Sequence, residues 1–292
     1  MDAVAAKEGG GGFALRTAGA WVLPVAFALL AVPTAVTLGA QVWSRESGAQ
    51  GPIVLCTGGW LLWRQADDFR RLGAAGNPAT TAFLLALGLA VYVFGRAYDF
   101  ITLETLGLYG VGLAMLYSKV GSRPIVMNWF PFVYLAFAIP PPSYVLDRLT
   151  APLKHLVTLV ATSGLQAAGL PLSREGVTIF IAQYQLLVED ACSGMNSIVG
   201  LTAISLFYIY LLRGSSLLYS VILVCMVIPI AIIANILRIV ILVLLTYFFG
   251  DGVAQGFLHF AAGIFMFATA LSLVFAIDRM IMALRLRLRP AA

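Results

Sequence analysis

Residues 197–212 read SIVGLTAISLFYIYLL, a run with no charged side chain. Hydrocarbon offers the main chain no hydrogen-bond partner, so a run of this kind satisfies its N–H and C=O groups in lipid only by closing them internally as a helix. Runs of comparable length recur along the chain, and this repetition constrains the fold more than any other feature. Composition agrees. Of 292 residues, 61% are hydrophobic and 11% charged, against about 25% charged in an ordinary soluble domain. A water-soluble globule of this length is excluded.

The runs place candidate spans near 18–42, 51–63, 79–97, 98–118, 124–140, 196–212, 217–240 and 258–277. The predicted fold class is therefore an all-α polytopic membrane protein of about eight transmembrane helices. Residues 1–17, with their GGGG, read as a flexible cytoplasmic lead, and the first apolar run ends without a cleavage site of the signal-peptide kind. The remainder, 18–292, reads as a single transmembrane domain.

Lysine and arginine placement sets the expected orientation. With the N-terminus inside, the inner loops collect Lys7, Arg16, Arg64, Arg70, Arg71, Lys119, Arg123, Arg213, Arg279, Arg285, Arg287 and Arg289. The outer and embedded positions hold Arg45, Arg96, Arg148, Lys154, Arg174 and Arg238. This asymmetry predicts an N-in, C-in topology, with 279–292 as a basic cytoplasmic tail. The net charge of +5 is thus a membrane-orientation signal; no basic and aromatic pattern of a nucleic-acid binder accompanies it, and membrane lipid is the expected surrounding partner.

On this topology residues 141–190 form the one large external segment. After the stiff PPPS, DRLTAPLKHLVTLVATSGLQAAGL spaces Leu149, Leu153, Leu156, Val157, Val160 and Leu165 mostly to one side, as in an amphipathic surface helix, whole or broken at Pro152. EGVTIFIAQYQLLVED is rich in β-branched and aromatic residues and predicts one or two short strands. This small external element of amphipathic helix plus short strands delivers the chain to VEDACSGMNS.

Three residue types capable of chemistry then fall at one depth. Cys192 precedes the sixth span. Arg238, in PIAIIANILRIVILVLL, lies 21 steps from Leu217, about 32 Å of helix against a hydrocarbon core of about 30 Å, and so reaches the outer boundary. His259, in GDGVAQGFLHFAAG, precedes the eighth span. A thiolate beside a base is a strong nucleophile, and a fixed cation stabilises the oxyanion of acyl transfer. Each also has a plainer reading: a packing cysteine, a snorkelling arginine, an interfacial histidine. Arginine between aliphatics resists that reading most, because its burial in lipid is costly. Glu189 and Asp190 oppose a thiolate by charge unless they cap the helix, orient His259 or contact Arg238. Ser193 is a capping residue or a second hydroxyl nucleophile, Asn235 lies one turn before Arg238 and orients it, and His155 belongs to the amphipathic stretch. Cys56 and Cys225 sit in apolar runs as packing residues. No disulfide framework, metal-ligand spacing or cofactor motif is present.

The segments EGVTIFIAQYQLLVEDACSGMNS, PIAIIANILRIV and LHFAAG, in this order and spacing, resemble the exosortase/archaeosortase group of multispanning membrane enzymes, over roughly residues 50–280. The resemblance implies a catalytic set of Cys192, Arg238 and His259. It further implies a cysteine protease or transpeptidase acting on secreted proteins that end in a short motif, a transmembrane helix and a basic cluster, the PEP-CTERM type. The MNS after ACSG departs from the more basic sequence of many relatives, which leaves the recognition subclass open. Competing classes are a permease linked to polysaccharide or lipid export, suggested by the intramembrane arginine and Pro229, and a thiol-dependent membrane acyltransferase. Oligomeric state has no signature in the sequence.

Overall fold

The computed structural model describes residues 9–44, 48, 50–181, 183–187, 197–213, 217–255, and the isolated positions 268, 272, 273, 275, 276, 279 and 280. The chain divides into two units, one of residues 1–42 and 57–140, the other of 43–56 and 141–292.

The first unit is built on a helical hairpin. Helix α1 (Gly9–Leu38) runs on into a π-helical turn, Gly39–Trp43. It is followed by α2 (Gln50–Arg64) and the short α3 (Ala66–Leu72). Helix α4 (Pro78–Ala97) starts with Pro78 in its first turn, where no N–H is missed. The Asn77 side chain accepts from the N–H groups of Ala79 and Thr80, which satisfies two orphan donors of the first turn. Asp99 turns the chain at φ 55°, a left-handed conformation that Asp tolerates better than most residues. Helix α5 (Ile101–Val120) then packs back along α4.

Small residues let these two backbones touch. A Cβ at Gly95 would collide with the main chain of Leu103 and Glu104, and one at Gly107 with the main chain of Tyr92. The obstacles are backbone atoms that cannot swing aside. Gly95→Ala is expected to force the hairpin apart and destabilise the protein by about 2–3 kcal/mol, read as a lower midpoint of unfolding in detergent.

Close approach also seats a carboxylate where lipid would not tolerate it alone. Glu104 is buried, and its Oε1 accepts from Thr34 Oγ1 of α1 at 2.7 Å and from Arg96 Nη1 of α4 at 2.9 Å. Tyr92 Oη donates to the Leu30 carbonyl beside them at 3.1 Å. Buried charge in an apolar surrounding persists only when paired and hydrogen-bonded, so this cluster ties α1 to the α4–α5 pair.

The expected fifth span, 124–140, is not one helix. It is two, α6 (Ser122–Met127) and α7 (Phe130–Ala136). Pro131 has no N–H to bond the Met127 carbonyl four residues back, which ends α6 there, and Pro140–Pro142 forbid continuation beyond α7. Neither piece, at about 10 Å, crosses a bilayer core of about 30 Å. The second expected span is α2, with 15 residues, also below spanning length. Among the described residues four helices are long and apolar enough to cross a membrane: Val22–Trp43, Pro78–Ala97, Ile101–Val120 and Ile228–Phe249. The expected eighth span, 258–277, lies largely outside the described residues.

In the second unit α8 (Ser143–Ala167) is a single helix through Pro152. It leads to three antiparallel strands in the order β1 (Leu172–Glu175), β2 (Thr178–Ile181), β3 (Tyr184–Leu187). The sequence expectation of one or two strands missed β1, whose LSRE lacks an apolar signal. Two hydrophobic helices follow, α9 (Ser197–Arg213) and α10 (Leu217–Phe249), then the short α11 (Asp251–Gln255).

The orientation of α8 differs from the expected apolar face. Val157, Ala161 and Leu165 pack into the core with Ile179 and Ile181 of β2 and Ile239 and Val243 of α10. Leu149, Leu156 and Val160 instead point outward, while Thr150, Lys154, Thr158 and Thr162 are buried. The three threonine hydroxyls donate to carbonyls one turn back, at 2.7–2.9 Å. A threonine satisfied within its own helix costs little to bury, which releases leucines to the outer face. An outward leucine row is what a helix resting on lipid needs.

Candidate active site

Of the residues singled out from sequence, Arg238 and Asn235 lie within the described structure. Cys192, His259, Glu189, Asp190 and Ser193 lie outside the described residues. Arg238 is 1% exposed and Asn235, one turn earlier on α10, is 2% exposed. Among the described residues Arg238 is the largest of the fully buried side chains. Leu242 and Thr246 continue the same buried stripe along the helix, and the Thr246 hydroxyl donates to the Leu242 carbonyl at 2.8 Å. Beside this stripe runs the apolar one, Ile232, Ile236, Ile239 and Val243, which packs on α8 and the sheet.

Helix α10 has 33 residues, about 50 Å at ~1.5 Å rise per residue. That exceeds a hydrocarbon core by about 20 Å. The part from Ile232 to Leu244 lies against the sheet and α8, which together form a cap element, so the guanidinium is carried on the stretch of α10 that this cap covers. The expected span, ending at residue 240, was too short because nothing in ILVLLTYFF marks a stop. Gly250, at φ 84°, provides it, the left-handed residue that commonly ends a helix.

The described elements on either side of the undescribed residues are themselves tied together. Strand β3 ends at Leu187, five residues before Cys192, and α9 begins five residues after it. Helix α11 ends four residues before His259. Tyr184 of β3 reaches the corner between α10 and α11, where its Oη stands 3.3 Å from the position a Cβ would take on Gly250. Helix α9 packs along α10, with Ala203, Ser205 and Ile209 buried. The strand leading to the thiol, the helix bearing the arginine and the turn leading to the imidazole thus belong to one packed unit.

Sequence reasoning passed over Lys154. It is 8% exposed on α8, and its Nζ lies 3.3 Å from Asp147 Oδ1. Its signal was the four-residue spacing Thr150, Lys154, Thr158, Thr162, a polar stripe on a helix whose leucines drew attention instead. His155, next to it, is exposed, in keeping with its place in an amphipathic stretch. Glu104 was likewise missed, being a single acid in the first turn of a hydrophobic run. The first unit also holds an apolar groove of about 470 Å³ between α4, α5 and α6, lined by residues such as Leu87, Leu106, Leu113 and Ile125. None of its described lining residues is a base, carboxylate or thiol.

A family model described as transmembrane exosortase (Exosortase_EpsH) matches residues 42–276, roughly four-fifths of the chain, including Cys192, Arg238 and His259. The chain belongs to the transmembrane exosortase family. Exosortase membership and the apolar helices together make it a membrane protein, and membership points to a cysteine-dependent peptidase or transpeptidase as the class of activity. No curated relative and no solved structure shows significant similarity to the chain.

Proposed function

We propose that this exosortase is a cysteine transpeptidase or protease of the bacterial inner membrane. It acts at the periplasmic face on secreted proteins carrying a C-terminal sorting signal of motif, transmembrane helix and basic cluster. The observation that supports this most is Arg238: a permanent cation, fully buried, the one charged residue of its helix, in the stretch covered by the cap element. Such a residue is costly to keep unless it has a task, and a buried guanidinium suits a developing oxyanion.

In this reading His259 takes the Cys192 proton and the thiolate attacks the carbonyl carbon of the scissile amide. Arg238, oriented by Asn235, holds the resulting oxyanion. As the tetrahedral centre collapses the C–N bond breaks, and His259 returns the proton to the leaving amine, which departs with the C-terminal helix. A thioester on Cys192 remains. Water, or an amine or hydroxyl acceptor, then attacks it and regenerates the thiol. Glu189 or Asp190 orients His259, and Ser193 adjoins the nucleophile four residues before α9 begins. A substrate anchored by its own helix diffuses in the plane of the membrane, so the enzyme requires no deep soluble cleft.

Depth favours the same face for all three groups. Arg238 stands about 32 Å along α10 from Leu217, the expected inner edge, and Cys192 and His259 directly precede the expected sixth and eighth spans in sequence. The test is co-expression with a secreted protein bearing the three-part tail, followed by mass spectrometry of its new C-terminus. A free acid identifies hydrolysis and an acceptor adduct identifies transfer. An unprocessed tail across candidate substrates, with solute flux across vesicles instead, would favour the permease reading.

A further inference from the structure

Strand β3 has an open edge among the described residues, and its geometry fixes which groups that edge presents. The sheet order is β1-β2-β3, so β3 has one neighbour. Two residues connect Ile181 to Tyr184, which are directly paired. A two-residue connection closes on a hydrogen-bonded pair, and hydrogen-bonded and non-bonded pairs alternate along an antiparallel ladder. Tyr184 and Leu186 therefore spend their N–H and C=O groups on β2. Gln185 and Leu187 turn theirs away from it.

The β1–β2 hairpin gives the same parity independently. Glu175 pairs with Thr178 across Gly176 and Val177, with Gly176 at φ 60°. Thr178 and Phe180 are thereby bonded to β1, which leaves Ile179 and Ile181 for β3, as the first argument requires. One face of the sheet is buried through Ile179 and Ile181, with Tyr184 and Leu186 packed beside them. Gln185 is exposed. The edge is thus held rigidly by a core on one face and offers two donors and two acceptors at a strand's spacing.

We infer that the extended stretch of a peptide substrate binds as a fourth strand along β3, pairing with the main-chain groups of Gln185 and Leu187. The inference rests on the proposed peptide-cleaving function and deepens it by naming where the substrate backbone lies. The occupant follows from continuity: β3 leads in five residues to Cys192, a stretch that spans at most about 18 Å. Chain connectivity therefore keeps Cys192 within that reach of the end of β3. Main-chain pairing supplies affinity, and side chains at alternate substrate positions supply specificity. The opposite edge, β1, begins the sheet fifteen residues or more before Cys192 and has no such continuity.

Gln185→Pro tests this, because proline is tolerated in a strand where its missing N–H points off the edge. It keeps the ladder to β2 and removes one outward donor while its ring obstructs the edge. The expected result is a fall in kcat/KM of about tenfold, carried mainly by KM. The unfolding midpoint of Gln185→Pro in detergent checks that the fold is retained. A second arm leaves the enzyme untouched: synthetic peptides spanning the mapped cleavage site, N-methylated one amide at a time, should lose processing with a period of two. Wild-type KM in folded Gln185→Pro, or N-methyl effects with no alternation, would overturn the edge-strand inference and leave the thiol reading standing. Processing that survives Cys192→Ala would instead remove the reading beneath it.

Discussion

Replacing Cys192 with alanine is expected to stop release of the C-terminal helix from a co-expressed substrate, a loss of at least about 10³-fold. Immunoblot and mass spectrometry of the substrate tail read it directly. Serine is expected to fail as well, since its hydroxyl ionises far less readily than a thiol and His259 alone is a weak remedy. The size of the effect follows from the chemistry: without a nucleophile there is no thioester, and both product classes disappear together. The other thiols make good internal controls. Cys56 and Cys225 are exposed on the surfaces of apolar helices, so their replacement should leave processing at the wild-type level.

Arg238→Lys carries the second large effect, about 10²–10³-fold in kcat with KM little changed. Lysine keeps the charge and loses the planar fork of donors, and its stem does not reach the same point. Substrate and transition state would then be bound about equally, which lowers turnover while leaving affinity. Single-turnover processing by the purified variant measures this. Wild-type kcat in Arg238→Lys would make the residue a structural anchor of α10 and leave the oxyanion without an assigned partner. Asn235→Ala should show a smaller loss in the same direction, because Asn235 acts by orienting Arg238.

Much of this architecture was written in the apolar runs, since lipid tolerates one solution for them. The α4–α5 hairpin and the start of α10 at Leu217 follow from length and composition alone, whereas the end of α10 at Phe249 does not. What was not legible depended on partners across the fold. Glu104 is an acid in a hydrophobic helix until α1 and α4 bring Thr34 and Arg96 to it. The buried face of α8 was misjudged because leucine burial and lipid contact leave the same pattern in a sequence. Threonines that bond to their own helix look polar and behave as core. The break in the expected fifth span, by contrast, was present in Pro131 and Pro140–Pro142 and was outweighed by the hydrophobicity around them. At the site, Arg238 stood out because arginine is rare among aliphatics. Its burial and its place opposite the cap needed the packing of α8 and β2 against α10.

In the proposed mechanism acyl transfer passes through the sulfur of Cys192. Stopping the reaction during turnover of a co-expressed substrate and mapping peptides of the purified enzyme by mass spectrometry tests this most directly. The expected result is a hydroxylamine-sensitive substrate adduct on the peptide containing Cys192, accumulating when the acceptor is withheld, with none on those containing Cys56 or Cys225. Continued substrate processing with no adduct at Cys192, and undiminished in Cys192→Ala, would contradict it.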